Sequence, residues 1–224
     1  MPIVCRHYFY LTLLGITLSL APAAQASSNF DGFFIDAGVG YRNVNTSNTS
    51  TIRLNGTVIP STLSAGQASN VVTVFSVGYN FPITSSYVLG ISANISPASG
   101  QAQQVQVQAL NQTYNLSGIK PLYSYGFSFT PGLVIGNGLA YLKLGTQTQV
   151  NNSNTSPNFN GYLLGLGYKQ LIYQSIYLYG EANYGSYKSQ TTTANVITSG
   201  RSINAAVTTK PEGSRFLLGF GYQF

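Results

Sequence analysis

Arg215-Phe-Leu-Leu-Gly-Phe-Gly-Tyr-Gln-Phe224 is the stretch whose parity decides the fold. Phe216, Leu218, Phe220, Tyr222 and Phe224 form one strongly apolar row. The alternate row, Arg215, Leu217, Gly219, Gly221 and Gln223, is mostly small or polar. A period of two belongs to a β-strand, whose successive side chains face opposite ways. We read it as the closing strand of a barrel whose outside meets hydrocarbon and whose inside is crowded and polar.

Composition agrees with that reading. Only 6% of the 224 residues are charged, against about a quarter in a soluble domain. Yet the mean hydropathy is just +0.10, too low for a bundle of membrane helices. Few charges with middling hydropathy is what alternation produces, half the strand residues facing lipid and half a polar lumen. After residue 27 no stretch approaches the ~20 apolar residues of a spanning helix. The net charge of +6 comes from basic residues scattered singly, so no nucleic-acid partner is expected.

Residues 1–26 read as a cleavable signal peptide. Arg6 and His7 give a basic start, residues 8–20 an apolar core, and Ala24-Gln25-Ala26 a small-x-small cleavage site. A permanent anchor helix is the weaker alternative, because the apolar run is short and Pro22 interrupts it. The only cysteine, Cys5, and the only histidine, His7, fall in this leader. The remaining chain, 27–224, is then expected to carry no disulfide, no His- or Cys-ligated metal and no cofactor.

The parity of the last strand recurs in seven earlier segments, at about 32–43, 71–81, 87–96, 120–135, 139–148, 161–169 and 176–186. In the first, Phe33, Ile35, Ala37, Val39 and Tyr41 oppose Phe34, Asp36, Gly38, Gly40 and Arg42. An Asp and an Arg among glycines is poor core chemistry for a soluble sandwich but suits a crowded lumen. In the fourth, Pro131 removes one ladder donor from the apolar row, which predicts a bulge or local irregularity. Gly136-Asn137-Gly138 predicts a tight hairpin turn.

Between these segments, polar connections at about 44–70, 97–119, 149–160 and 187–213 are read as long loops. Short turns at about 82–86, 136–138 and 170–175 separate them. Within 97–119, Gln104-Val-Gln-Val-Gln108 still alternates, as a hairpin above the membrane or a brief Gln-rich tract would. Asn45-Thr-Ser and Asn48-Thr-Ser match glycosylation sequons, but such matches arise by chance in a Ser/Thr/Asn-rich loop. Eight strands with alternating short and long connections predict an eight-stranded antiparallel up-and-down transmembrane β-barrel, all-β. Both ends of the mature chain are expected in the periplasm. Tyr41, Tyr123, Tyr162 and Tyr184 gather at one predicted rim, and Phe33, Phe81, Tyr87, Tyr168 and Phe224 at the other. Interfacial aromatics favour such girdles.

Three motifs carry a resemblance to the small outer-membrane barrel superfamily, the OmpA transmembrane domain, OmpX and opacity-protein type. They are Phe34-Ile-Asp-Ala-Gly-Val-Gly-Tyr41, Pro131-Gly-Leu-Val-Ile-Gly-Asn-Gly-Leu-Ala-Tyr-Leu-Lys-Leu-Gly145 and Gly219-Phe-Gly-Tyr-Gln-Phe224. The resemblance covers nearly the whole mature chain. It implies residence in a Gram-negative outer membrane, with lipid and lipopolysaccharide around the barrel. It also implies that Gly219, Tyr222 and Phe224 form the signal read by the barrel-assembly machinery, although Leu217 stands where a polar residue is usual. No counterpart of OmpA's peptidoglycan-binding domain is expected.

The predicted inward set carries Asp36, Arg42, Lys143, Lys169, Glu181 and Arg215. Counting along the strands places Asp36, Lys143 and Glu181 at similar depth, with Arg42 and Arg215 near the outer rim on neighbouring strands. Lys143 is expected to pair with Glu181, Asp36 or both, since an unpaired charge in a narrow barrel is costly. A catalytic or gating role for the cluster is the sharper and weaker alternative.

Three function classes compete. A structural or surface-interaction, adhesin-like role suits polar loops on a rigid frame, with host matrix, another cell or lipopolysaccharide as partner. A lipid-modifying or proteolytic outer-membrane enzyme is disfavoured, since the resembling enzymes depend on a His that this mature chain lacks. A narrow channel or carrier for small apolar molecules is disfavoured by the charged inward row. The expectation is a monomeric, non-enzymatic barrel.

Overall fold

The computed structural model describes residues 28–54, 57–59, 62–64, 68–97, 105–109, 112–116, 121–151, 158–198 and 201–224. Eight long strands dominate it: β1 (Gly32–Leu54), β2 (Ala68–Pro82), β3 (Tyr87–Pro97), β4 (Pro121–Ile135), β5 (Gly138–Asn151), β6 (Phe159–Tyr173), β7 (Ile176–Tyr187) and β8 (Arg201–Gln223). Each pairs antiparallel with its chain neighbours, and β8 returns to β1 from Phe34↔Gln223 to Leu54↔Ile203. The sheet is therefore a closed eight-stranded up-and-down barrel. Closure satisfies the backbone of what would otherwise be two edge strands, the condition for crossing a medium without water.

The wall has its apolar side outward. Phe33 is 61% exposed, Leu166 62% and Leu218 72%, whereas Phe34, Leu163 and Leu217 on the alternate row are buried. All the bulky residues of the predicted lipid rows of β4, from Tyr123 to Ile135, are exposed in the same sense. In water a surface of this size would be an aggregation hazard. Against lipid tails it is the stable arrangement.

Several polar segments read as loops are strand instead. Residues 44–54 continue β1, residues 201–213 belong to β8, and Gln190–Thr198 adds a further strand beside β8. At roughly 3.3 Å per residue the 23 residues of β1 extend well beyond the length that spans a bilayer. The alternation vanishes there because polar residues fall on both parities of the extensions. The tract 104–108 falls mostly in the strand Val105–Ala109, which pairs with Gln112–Leu116 as a hairpin, while Thr62–Ser64 pairs with Val105–Ala109. Connecting residues 152–157, the leader and its cleavage site lie outside the described residues.

Two irregularities of β4 fall at prolines, while a further register shift, between Leu171 and Tyr173 of β6, does not. At Pro131 the ladder to β5 skips two residues, from Phe129↔Leu144 to Gly132↔Tyr141, without changing register. The register shift of β4 lies between Pro121 and Tyr123 instead. The turn at Gly136 has φ of +60°, which the missing Cβ permits.

The segment before β1 plugs the end of the barrel that carries the short turns. Phe30 is fully buried against Val88, Leu139 and Tyr141. Its carbonyl accepts from Asn80 Nδ2 at 2.8 Å, and Gln223 Nε2 donates to the Asp31 carbonyl at 2.8 Å. Asp31 accepts from the Ser28 backbone N–H at 2.6 Å and from the Ser28 hydroxyl. Sequence parity begins only at Gly32, so this plug carried no periodic signal.

Leu166 pairs across the sheet with Leu142 and Ala182, on the lipid row one residue beyond the Gly165↔Lys143 pair. Leu166→Arg is expected to destabilise the barrel by ~2–4 kcal/mol in a bilayer. Thr191→Arg, on the strand beyond the barrel, should change stability by no more than ~0.5 kcal/mol. Urea titration in phospholipid vesicles, followed by β-sheet circular dichroism, reads both. Equal, small effects would contradict the hydrocarbon-facing assignment.

Candidate functional site

The inward row places its charges in a belt at mid-barrel. Lys143 of β5 donates to both carboxylate oxygens of Glu181 of β7, at 3.0 and 2.9 Å. Tyr141 donates its hydroxyl to Glu181 at 2.9 Å, and Asn183 Nδ2 donates to it at 2.7 Å. Glu181 thus accepts from a cation, a phenol and an amide, the saturation a buried carboxylate needs.

A second cluster lies toward the short-turn end. Lys169 Nζ is 3.6 Å from Asp36 Oδ2, and the Tyr177 hydroxyl stands between them, accepting from Lys169 and donating to Asp36 at 3.1 Å each. The ammonium also sits 3.7 Å from the Phe34 ring centroid and 4.5 Å from that of Tyr177. A cation so enclosed gains from the negative ring faces as well as from its ion pair. Lys143 therefore pairs with Glu181, while Asp36 is taken by Lys169.

The glycines of the inward row are sockets for these phenols. A Cβ on Gly221 would lie 2.3 Å from the Tyr177 ring, and one on Gly167 would lie 2.3 Å from the Tyr141 ring. Large and small residues thus interlock across the lumen, the packing expected of a narrow barrel. Among the described residues a hollow of about 20 Å³ touches Asp36, Lys143 and Lys169, room for one or two waters at ~10–15 Å³ each. Another of about 60 Å³ opens at the other end, beside Arg42, Asn183 and Arg215. The two share no lining residue, and the Lys143–Glu181–Asn183 cluster stands between them.

Arg42 and Arg215 face each other directly in the β1–β8 ladder. On β8, Gly219 lies close to the Tyr179 ring, while Tyr222 and Phe224 look outward with their rings 4.8 Å apart, edge to face. The belt's phenols, Tyr141 and Tyr177, went unassigned in the reading by charge. Their signal was their parity with Lys143 and Glu181, opposite inward glycines.

A closed sheet, an apolar outer wall and an ion-paired, side-chain-filled lumen together define a transmembrane β-barrel. The chain belongs to the family described as outer membrane protein beta-barrel domain, whose match spans residues 11–224. Membership places it in the Gram-negative outer membrane. The fold is shared with OprG from Pseudomonas aeruginosa, which is 17% identical, with 87% of this chain and 96% of that chain covered and a TM-score of 0.55. Looser matches include the outer membrane protease OmpT from Escherichia coli, with 10% identity, 90% and 99% coverage and a TM-score of 0.49. Neisserial surface protein A matches with 12% identity, 87% and 98% coverage and a TM-score of 0.44. No curated protein matches the sequence.

The belt makes a sharp stability prediction. Lys143→Met leaves Glu181 without its cation and is expected to cost ~3–5 kcal/mol. Adding Glu181→Leu removes the stranded charge and should restore more than half of that loss. With no tryptophan in the chain, unfolding in urea is followed by tyrosine fluorescence and by the mobility shift of unheated samples on gels. A double variant no better than the single one would show that the carboxylate is not held chiefly by Lys143.

Proposed function

We propose that the protein is a non-enzymatic, adhesin-like surface barrel, a rigid pedestal presenting its long hairpins outside the cell. The observation that carries this reading is the continuation of β1 and β8 as one ladder, from Phe34↔Gln223 through Leu54↔Ile203, far past the membrane-spanning length. A hairpin stiffened in this way keeps its tip at a fixed height and loses less entropy on binding than a free loop. On this reading the long connections face outward and both mature termini are periplasmic. Residues 1–26 direct export, and Gly219, Tyr222 and Phe224 serve the assembly machinery. The partners of the hairpins are host matrix, another cell or lipopolysaccharide.

The alternative, a narrow channel for small apolar molecules, is opposed by the paired charges and interlocked rings across the lumen. In planar bilayers the purified barrel is therefore expected to give no large, stable conductance steps. Removing residues 48–67 and 190–209 together keeps the Val44↔Ala68 and Ser186↔Glu212 pairs. The shortened barrel should still fold. Cells displaying it should bind matrix and neighbouring cells no better than cells lacking the protein. Full adhesion with increased detergent sensitivity would replace this reading by one of envelope integrity.

A further inference from the structure

The loop end of the lumen holds two guanidinium groups and no acid. Arg42 and Arg215 are direct cross-strand neighbours, where like charges repel. Arg215 is only 5% exposed, and its Nε and Nη2 are buried without a hydrogen-bond partner. The Nε of Arg42 is buried and unpartnered as well. Both side chains line the hollow of about 60 Å³, together with Asn70, Gln147, Asn183 and Ser214. Arginine does not shed its proton to escape such a setting.

The chain's own acids are all engaged elsewhere. It has four carboxylate side chains. Asp31 binds Ser28 at the opposite end of the barrel. Asp36 holds Lys169, and Glu181 holds Lys143. Glu212 pairs with Lys210 at 2.6 Å and accepts from the Tyr184 hydroxyl at 2.9 Å, outside the lumen. The terminal carboxylate of Phe224 lies at the short-turn end, its backbone N–H bonded to the Phe33 carbonyl. Glu181 reaches Arg215 only through space, because its oxygens are taken by Lys143, Tyr141 and Asn183, so the buried guanidinium donors still lack an acceptor from the chain's own acids.

We propose that this pocket binds a small oxyanion of the phosphate or sulfate class, free or as the end group of a solute arriving from the loop side. Two guanidinium forks present directional N–H donors that the spaced oxygens of a phosphate or sulfate match in pairs, whereas chloride offers only a single spherical acceptor. Asn70 supplies a neutral polar group on the same wall. A hollow of about 60 Å³, room for roughly four to six waters at ~10–15 Å³ each, admits one tetrahedral anion with water beside it. The site lies inside the barrel mouth and goes beyond the proposed adhesion by the hairpins, so it does not depend on that reading.

The test uses the whole refolded barrel in uncharged detergent micelles. Sodium sulfate and inorganic phosphate are titrated against sodium chloride at matched ionic strength. Unfolding temperature and the Nε–H resonances of nitrogen-15-labelled arginine are followed together. Sulfate and phosphate are expected to raise the unfolding temperature saturably and to shift the Arg42 and Arg215 resonances, while chloride does neither. Arg42→Gln and Arg215→Gln should each raise the half-saturating concentration by at least about tenfold, and Lys210→Gln should leave it unchanged. Should Arg215→Gln fail to refold, Arg42→Gln and the wild-type resonances still decide the matter. Tighter binding of glycerol phosphate than of inorganic phosphate assigns the site to an end group, and the reverse order to the free ion. An unsaturable response, or one equal in wild type and Arg42→Gln, overturns the proposal and leaves only water on these donors.

Discussion

A chain crossing hydrocarbon as strands has to hydrogen-bond every backbone group to itself, and the β1–β8 seam is where this chain meets that demand. Once the sheet closes, alternate side chains are committed to lipid or to a lumen of fixed width. Eight strands make that lumen narrow. Every inward charge must then find a partner among few neighbours, and every inward ring must find a gap. The ion pairs at Glu181 and Asp36, and the phenols seated over Gly167 and Gly221, follow from that single geometric restriction.

The two clusters also divide the lumen along its length. Toward the short-turn end, Phe30 and the Lys169–Asp36–Tyr177 group close the interior with apolar rings around one cation. At mid-depth Lys143 and Glu181 tie β5 to β7, strands that are not neighbours in the sheet. Bonds across the lumen brace the barrel against flattening in a way that the ladder alone does not. A braced wall is what an extended outer hairpin needs if its tip is to stay in place.

Strand number, facing and the short turns were legible in the sequence because the membrane imposes an apolar row with period two. The same cause explains where legibility ended. Beyond the spanning length Thr46 to Ser50 are polar on both parities, so nothing in their hydropathy separates strand from loop. Their Thr content was the remaining signal, since β-branched residues favour extended chain. Phe30 lay before the first alternating pair and so outside any period. Within the site, charge parity brought Lys143 and Glu181 into one layer, but it could not choose between Glu181 and Asp36 as the partner of Lys143. That choice rests on stagger between strands: Glu181 and Lys143 lie opposite Gly167 and Gly165, successive inward positions of β6, while Asp36 enters from β1 and meets Tyr177.

The balance of charge along the lumen is uneven, and the unevenness has a direction. Both inward carboxylates are used at mid-depth and below, each with a lysine. Both arginines stand above them, at the end where the long hairpins rise. Lysine can meet burial by giving up its proton, whereas arginine keeps its charge. A barrel that only needed filling would have no reason to place the two permanent cations side by side at its open mouth, with their donors turned into a hollow. Glu181 eases the repulsion from below through space, and water or an anion in the hollow eases it further. The volume there is large enough for an ion and some of its water. The filled lumen and the cationic mouth are thus two outcomes of one narrow cylinder: charge that could be paired was paired inside, and what remained was left where the surroundings could supply its partner.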